Sequence, residues 1–443
     1  MTTQFSVNDN IPWKTRFFTI WGGQALSIFG SQLVQFALVW YLTIQTGSAT
    51  VLATASLVGL LPNVILGPFI GTLVDRWDRR RIMLVSDSVI MVVTMGLAAL
   101  FALDAVDVWP IYVVIFIRAI AGSFHSNAMT ASTSLMVPVE HLTRIQGINQ
   151  MLNGGLSVIA APLGALLLGV LPLQGILAID VFSALFAIVP LLFIHFPQPE
   201  RYTGIAAIGC QSPAASGQET IWQGVKSGLR YIISWPGLLI VSLMTIGINF
   251  TIIPAFSLMP LLVKAYFGGS AIHLGWVEAA MGIGMFVGGA VLGAWGGFKR
   301  NIVTSMLGLM GMGLGTLVFA AAPATALWLA VFGSLLVGIM TPMTMGPFYA
   351  MIQTNVEPDM QARIFSLLNS AGTAMVPIGL LIAGPVADRF STQVWFLFGG
   401  LLCILMAVCG LFVPAVMQIG SRNTPMPGDV AQSLALSAKV DAL

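Results

Sequence analysis

The chain has 443 residues, of which 57% are hydrophobic and only 8% charged, and its mean hydropathy is +0.93. A soluble domain of this length carries about a quarter of its residues as charges, so the composition excludes a soluble enzyme or nucleic-acid-binding domain and points to many membrane spans. The net charge of +2 says little beside its distribution, and three cysteines (Cys210, Cys403 and Cys409) supply neither a disulfide framework nor a C-x-x-C site.

The first ten residues, MTTQFSVNDN, are polar and lack the pattern of a cleaved leader, so the first span is expected to remain as an anchor. Apolar segments follow at about 17–43, 50–74, 82–103, 109–132, 144–169, 174–196, 236–263, 272–298, 301–321, 325–349, 361–387 and 391–416. They predict an all-α integral membrane protein with twelve transmembrane helices. Basic residues gather at 14–16, 76–81, 144, 201, 226–230, 299–300, 363, 422 and 439, whereas the alternate connections hold only Lys264 and Arg389. By the bias of lysine and arginine toward the cytoplasm, both termini lie inside.

The stretch after the sixth segment is polar and contains Gly, Ser and Pro. It divides the chain into an N-terminal six-helix bundle (1–196), a cytoplasmic linker (197–235), a C-terminal six-helix bundle (236–416) and a cytoplasmic tail (417–443). Within the linker, 219–231 reads as an amphipathic helix along the inner membrane surface. A weak repeat relates the halves: Val139-Glu140 leads to Arg144-Ile145 before the fifth segment, and Val356-Glu357 leads to Arg363-Ile364 before the eleventh. Duplicated halves suit a transporter in which one half rocks against the other.

The most concentrated charge in the chain is GPFIGTLVDRWDRRR, residues 67–81. Gly67 and Gly71 lie one turn apart, a spacing that lets helices approach closely. Asp75, at the end of the second span, can pair with an arginine or meet the positive end of a helix. With Arg76, and with Arg79 and Arg80 beyond, it forms a candidate conformational latch; the plain alternative is that the arginines only enforce topology.

The pattern G-x-x-x-D-R-x-x-R-R in that stretch resembles the signature of the major facilitator superfamily, and FIRAIAG, with Arg118 and Gly122, resembles that superfamily's second motif. The stretches IWGGQALSIFGSQLVQFALVWYLTIQTGSATVL, FIRAIAGSFHSNAM and RIFSLLNSAGTAMVPIGLLIAGPVADR are similar to the macrolide-efflux branch of drug:proton antiporters, a likeness running from about 13 to 415. The resemblance implies the major facilitator fold of two six-helix bundles around a central cavity, and a role in proton coupling for Arg118. Two departures stand out. The matching connection in the second half, WGGFKRN, has no aspartate, and AAPLGA carries only part of the antiporter signature of the fifth span.

Few charges fall within the spans. Arg118 needs a carboxylate or carbonyl partner there. Glu278, in the apolar run VEAAMGIGMFVGG, can take up and release a proton; Asp180 and Asp87 are the other candidates for proton coupling. Asp87 follows the arginine cluster by about two turns and reads equally as its structural partner. Polar uncharged residues mark a candidate substrate cavity: Gln24, Gln32 and Gln35, then His125 and Asn127, Asn149 and Asn153, Asn249 and Asn369. Interhelical hydrogen bonding is the ordinary alternative for each.

No G-x-x-x-x-G-K-[ST] or H-E-x-x-H occurs, which disfavours ATP hydrolysis and a zinc site in this chain. The expectation is therefore a proton-coupled secondary efflux transporter rather than an enzyme. It works as a monomer without cofactor or obligate ATPase, in the bacterial inner membrane, and exports amphiphilic drugs such as macrolides. Export of a siderophore or endogenous metabolite is the nearest alternative. A non-catalytic membrane subunit or sensor is the alternative of another class.

Overall fold

The computed structural model describes residues 12–194, 221–356 and 358–419, and among them every regular element is helical. The helix ends follow local chemistry. Helix α1 (Trp13–Thr46) stops at Gly47, whose φ of 59° places it in the left-handed region that caps helices. Ser48 starts α2 (Ala49–Arg76) by accepting from the Val51 N–H. Asp78 starts α3 (Arg79–Ala102) by accepting from the N–H groups of Arg80 and Arg81. Asp107 does the same for α4 (Val108–Met136) through the Val108 N–H. Asp78 is thus a helix cap within the cationic cluster, where its charge also meets the positive end of α3.

Helices α5 (Val139–Val170) and α6 (Leu173–Phe193) complete the first series. Next come α7 (Ile221–Ser234), α8 (Pro236–Ser257) and the single turn α9 (Met259–Leu261), which runs into a π-helical turn at Leu262–Tyr266. The remaining elements are α10 (Ala271–Trp295), α11 (Asn301–Ala321), α12 (Leu327–Asn355), α13 (Pro358–Arg389), α14 (Thr392–Phe412) and α15 (Pro414–Met417). Among the described residues 11 helices are long and apolar enough to cross a membrane; in α5 the apolar portion, Gly154–Val170, is shorter. The predicted segment 236–263 is not one helix. Pro260 lacks a backbone donor and its ring crowds the preceding turn, and α8 ends at Ser257 before it.

The helices form two compact units. The first holds α1–α6 with Met259–Ala279, and the second holds α7, α8, the rest of α10 and α11–α15. In the first unit α1 lies almost backbone to backbone on α6. A Cβ added at Gly23 would lie 2.5 Å from the Phe186 carbonyl oxygen, and one at Gly30 would lie 2.2 Å from Ser183 Oγ. Small residues at such crossings are how helices pack where lipid, not water, is the competitor. The Met259–Ala279 segment is seated by Gly275, where a Cβ would come within 3.0 Å of Pro162 Cα.

The second unit uses the same device: a Cβ at Gly284 would lie 2.4 Å from the Leu335 carbonyl oxygen, and one at Gly288 would lie 2.2 Å from that of Ile339. The sequence repeat has a packing counterpart. Ile145 is buried with Phe17, Ile20, Ile70 and Met83 in the first unit, and Ile364 with Leu238, Met244, Phe348 and Ile352 in the second.

From Ile221 the predicted linker is helical, and its earlier part lies outside the described residues, as does the tail from 420. Helix α7 buries Gly228 and Ile232 and exposes Lys226, Leu229, Arg230 and Ile233. It is held to α13 by Arg363 Nη1, which donates to Ser227 Oγ at 3.0 Å, and by Gly228 packing on Leu367. Elsewhere large apolar side chains point outward, among them Phe186, Phe286 and Phe412. Such surface is stable only against acyl chains.

Candidate functional site

Two layers of mutually bonded polar side chains lie inside the first unit. Three helices each contribute a pair of residues seven apart: Gln24 and Ser31 on α1, Asp87 and Thr94 on α3, and Arg118 and His125 on α4. Seven residues are two helical turns, so each pair shares a face and its members stand about 10 Å apart along the helix. Because α4 runs opposite to α1 and α3, Gln24, Asp87 and His125 meet in one layer. Ser31, Thr94 and Arg118 meet in the other, joined by Asp180 of α6.

In the second layer Arg118 has its carboxylate partner. Its Nη1 donates to Asp180 Oδ2 at 2.5 Å and also to Thr94 Oγ1. Ser31 Oγ donates to Asp180 Oδ1 at 3.1 Å and Thr94 Oγ1 to Asp180 Oδ2 at 3.2 Å. Asp180 is 1% exposed. The close approach at Gly30 makes this possible, since a Cβ there would fall 3.1 Å from Asp180 Cα. The layer is closed electrically: one guanidinium pairs with one carboxylate, and each carboxylate oxygen also accepts from a hydroxyl.

The first layer is different. Gln24 bridges two titratable groups, its Nε2 donating to Asp87 Oδ2 at 3.1 Å while its Oε1 lies 2.7 Å from His125 Nε2. His125 Nε2 is 3.5 Å from Asp87 Oδ1. All three side chains are buried. Asp87 therefore bonds to α1 and α4 and not to the arginine cluster that precedes it. The arginines are engaged elsewhere. Arg79 Nη1 donates to the Ala131 carbonyl at 2.7 Å, and Arg80 Nε and Nη2 donate to the Leu191 and Leu192 carbonyls, each at 2.5 Å. Those last-turn carbonyls of α6 have no N–H partner within the helix, so Arg80 caps α6 while belonging to α3.

Other predicted site residues are dispersed. Gly67 is half-buried with nothing within 4 Å of an added Cβ. The surroundings of Gly71 and the side chains of Asp75, Arg76 and Asn153 lie outside the described residues. Gln32 and Gln35 are exposed; Asn127 is exposed, with its amide turned back to the Ser123 carbonyl at 2.8 Å. Asn149 accepts from Trp21 Nε1 at 2.7 Å.

In the second unit Asn249 donates to the Thr245 carbonyl at 2.9 Å and packs where Gly372 leaves room on α13, while Asn369 is exposed. Glu278, half-buried on α10 one turn past Gly275, has no hydrogen-bond or ion-pair partner among the described residues. No cluster of three metal-ligating side chains occurs among the described residues.

Several participants were not singled out in the sequence: Ser31 and Thr94 around Asp180, Trp21 on Asn149, and Asn63 of α2, which meets Ser123 of α4. A usable signal existed in the seven-residue spacing of polar positions on α1, α3 and α4.

The sequence pattern of the Major Facilitator Superfamily matches residues 20–380. The chain belongs to this superfamily. This superfamily transporter is 33% identical over 397 residues to Macrolide efflux protein A of Streptococcus pyogenes, covering 89% of this chain and 95% of the relative. Multidrug efflux pump Tap of Mycolicibacterium fortuitum is 24% identical over 411 residues, 89% of this chain and 95% of the relative.

Two solved structures are similar in fold. A bacterial homolog of the human lysosomal transporter Spinster, inward-facing and unoccupied, has a TM-score of 0.65 at 14% identity, with 90% of this chain and 95% of that chain covered. A D-xylose-proton symporter has a TM-score of 0.62 at 14% identity, with 91% and 97% covered. The transporter is thus a multi-pass bacterial membrane protein of two helix bundles. It is a secondary transporter related to multidrug and macrolide efflux pumps, and not an enzyme.

Proposed function

We propose that this transporter exports amphiphilic drugs, macrolides first among them, in exchange for protons. The substrate class is supported by the likeness to macrolide efflux proteins over 89% of the chain. The observation that carries the coupling is the pair of buried polar layers in the first unit, which holds Arg118, Asp180, Asp87 and His125 away from water. Charged groups are retained inside a membrane protein where they move ions or protons. Glu278 is proposed as a proton site of the segment Met259–Ala279. Gln32, Gln35 and Asn127, exposed in the first unit, and Asn369, exposed in the second, are proposed to offer amides to substrate.

The latch proposal for Gly67, Gly71, Asp75 and Arg76 is kept. Arg79 and Arg80 serve it as anchors that hold the start of α3 on α4 and α6. The reading also takes twelve spans, halves at 1–196 and 236–416, and cytoplasmic termini.

The test is pH-gradient-driven transport by the purified chain in proteoliposomes, with a macrolide, a lipophilic cation and a siderophore offered in turn. Movement of the macrolide that depends on the gradient and is lost in Arg118→Ala and Glu278→Gln is the expected result. Macrolide movement indifferent to the gradient and retained by both variants refutes the coupling. Gradient-driven movement of the siderophore alone replaces the drug reading.

A further inference from the structure

The two polar layers of the first unit differ in charge. The Arg118 layer is neutral as it stands, and a proton placed on Asp180 would break its ion pair and strand a guanidinium. The Gln24 layer contains a carboxyl group and an imidazole but no permanent cation. We propose that Gln24, Asp87 and His125 form a proton-binding site of the first unit, holding one exchangeable proton while the Arg118–Asp180 pair stays closed. This rests on the proton-driven reading above.

The hydrogen bonds define the unloaded state. Gln24 donates to Asp87 through Nε2 and accepts from His125 through Oε1. Asp87 is then a carboxylate, and His125 carries its proton on Nε2, shared between Gln24 Oε1 and Asp87 Oδ1. No described group bonds Nδ1 of His125, so that nitrogen is open to a second proton.

One added proton fits in two ways that keep the hydrogen bonds joining the three side chains. It can sit on Nδ1, giving an imidazolium beside the carboxylate. Alternatively Asp87 becomes a carboxylic acid that donates to Oε1 of a flipped Gln24 amide, whose Nε2 then donates to Nε2 of a neutral His125 protonated on Nδ1. Both loaded states contain the same number of protons, and both place a proton on Nδ1. The amide is what makes them interchangeable, because its donor and acceptor exchange ends by one rotation.

Among the described residues no other charged group bonds to this layer. Arg118 of α4 and Asp180 of α6 neutralise each other one layer away. Arg79 and Arg80 of α3 are committed to carbonyls, and Arg81 lies 3.7 Å from Asp78. Lys14 and Arg16 are in the first turn of α1, and His141 of α5 stacks on Trp13. Asp75 and Arg76 are in the last turn of α2, and Glu140 and Arg144 begin α5.

The experiment uses the full chain in lipid nanodiscs with ¹⁵N-labelled histidine, without substrate. Only 4 histidines contribute signals, and His125 is assigned by its loss in His125→Gln. Over about pH 9 to 5, the range in which imidazoles change state, the ring is expected to pass from protonation on Nε2 alone to protonation at Nδ1. In Asp87→Asn that step is expected to need about tenfold more acid, or to vanish. Titrimetry of the same samples is expected to find that proton taken up about one pH unit lower in the variant, or not at all.

A wild-type ring whose Nδ1 stays bare to pH 5, or a titration unchanged by Asp87→Asn, overturns the site. A titrating ring in a protein that no gradient drives supports the site and removes the export reading. Gradient-driven transport with a ring that does not titrate does the reverse.

Discussion

Replacing Asp180 by alanine removes the acceptor of three donors at once: Arg118 Nη1 at 2.5 Å, Ser31 Oγ at 3.1 Å and Thr94 Oγ1 at 3.2 Å. With the Arg118 side chain only 11% exposed, its guanidinium cannot regain water without repacking. Deleting one partner of a buried ion pair costs about 3–5 kcal/mol. Each interhelical hydroxyl bond in a membrane protein adds about 0.6 kcal/mol, so Asp180→Ala is expected to destabilise by about 4–6 kcal/mol.

Arg118→Met combined with Asp180→Ala strands no charge and is expected to cost only about 1–2 kcal/mol. A double-mutant cycle should therefore show at least about 2 kcal/mol of coupling, well beyond the additivity of independent sites. The assay is reversible unfolding from mixed micelles, followed for wild type, both single variants and the double. Single costs that add to the double within about 0.5 kcal/mol would falsify the closed-pair account. The same account fails if Asp180→Ala costs less than about 1 kcal/mol.

Two further perturbations separate packing from chemistry. Gly23→Ala places a methyl 2.5 Å from the Phe186 carbonyl, whereas Gly22→Ala has nothing within 4 Å. The first is expected to lose about 1–3 kcal/mol and the second to stay within about 0.5 kcal/mol in the same unfolding assay; equal effects refute the contact between α1 and α6. Arg80→Ala leaves the Leu191 and Leu192 carbonyls without their donors. Amide exchange in the last turn of α6 is expected to accelerate about tenfold, matching about 1.4 kcal/mol of lost local stability. Unchanged protection there would mean that Arg80 does not cap α6.

Most of the fold is legible because a span must satisfy every backbone group internally and keep its side chains apolar for about 20 residues. The predicted segment 301–321 coincides with α11, Asn301–Ala321, because a loop bounds it on each side. The predicted segment 236–263 fails because apolarity continues past the helix: Met259, Leu261, Leu262 and Val263 remain buried after α8 has ended. Hydropathy counts side chains, while Pro260 acts on the backbone.

The site was legible as a set of residues and not as a set of contacts. Arg118 required a carboxylate by the cost of burying a guanidinium, and Asp180, 62 positions away, satisfies it. Proximity in sequence pointed Asp87 at the arginine cluster, yet Arg79 and Arg80 reach carbonyls of α4 and α6. A long cation at a helix start can reach several neighbouring chain ends, and which of them lacks a donor depends on where those helices stop.

The amino-acid sequence by itself determined that this chain crosses the membrane repeatedly as helices and which few charged groups fall within its apolar segments. Those follow from transfer free energies and helical period, which are properties of one segment at a time. Only the tertiary structure decided that Gln24, Asp87 and His125 share one layer while Ser31, Thr94, Arg118 and Asp180 share another. Which layer a residue joins depends on the direction and rotation of four helices packed together, with α1 against α6 set by the missing side chains of Gly23 and Gly30. No single segment contains that information.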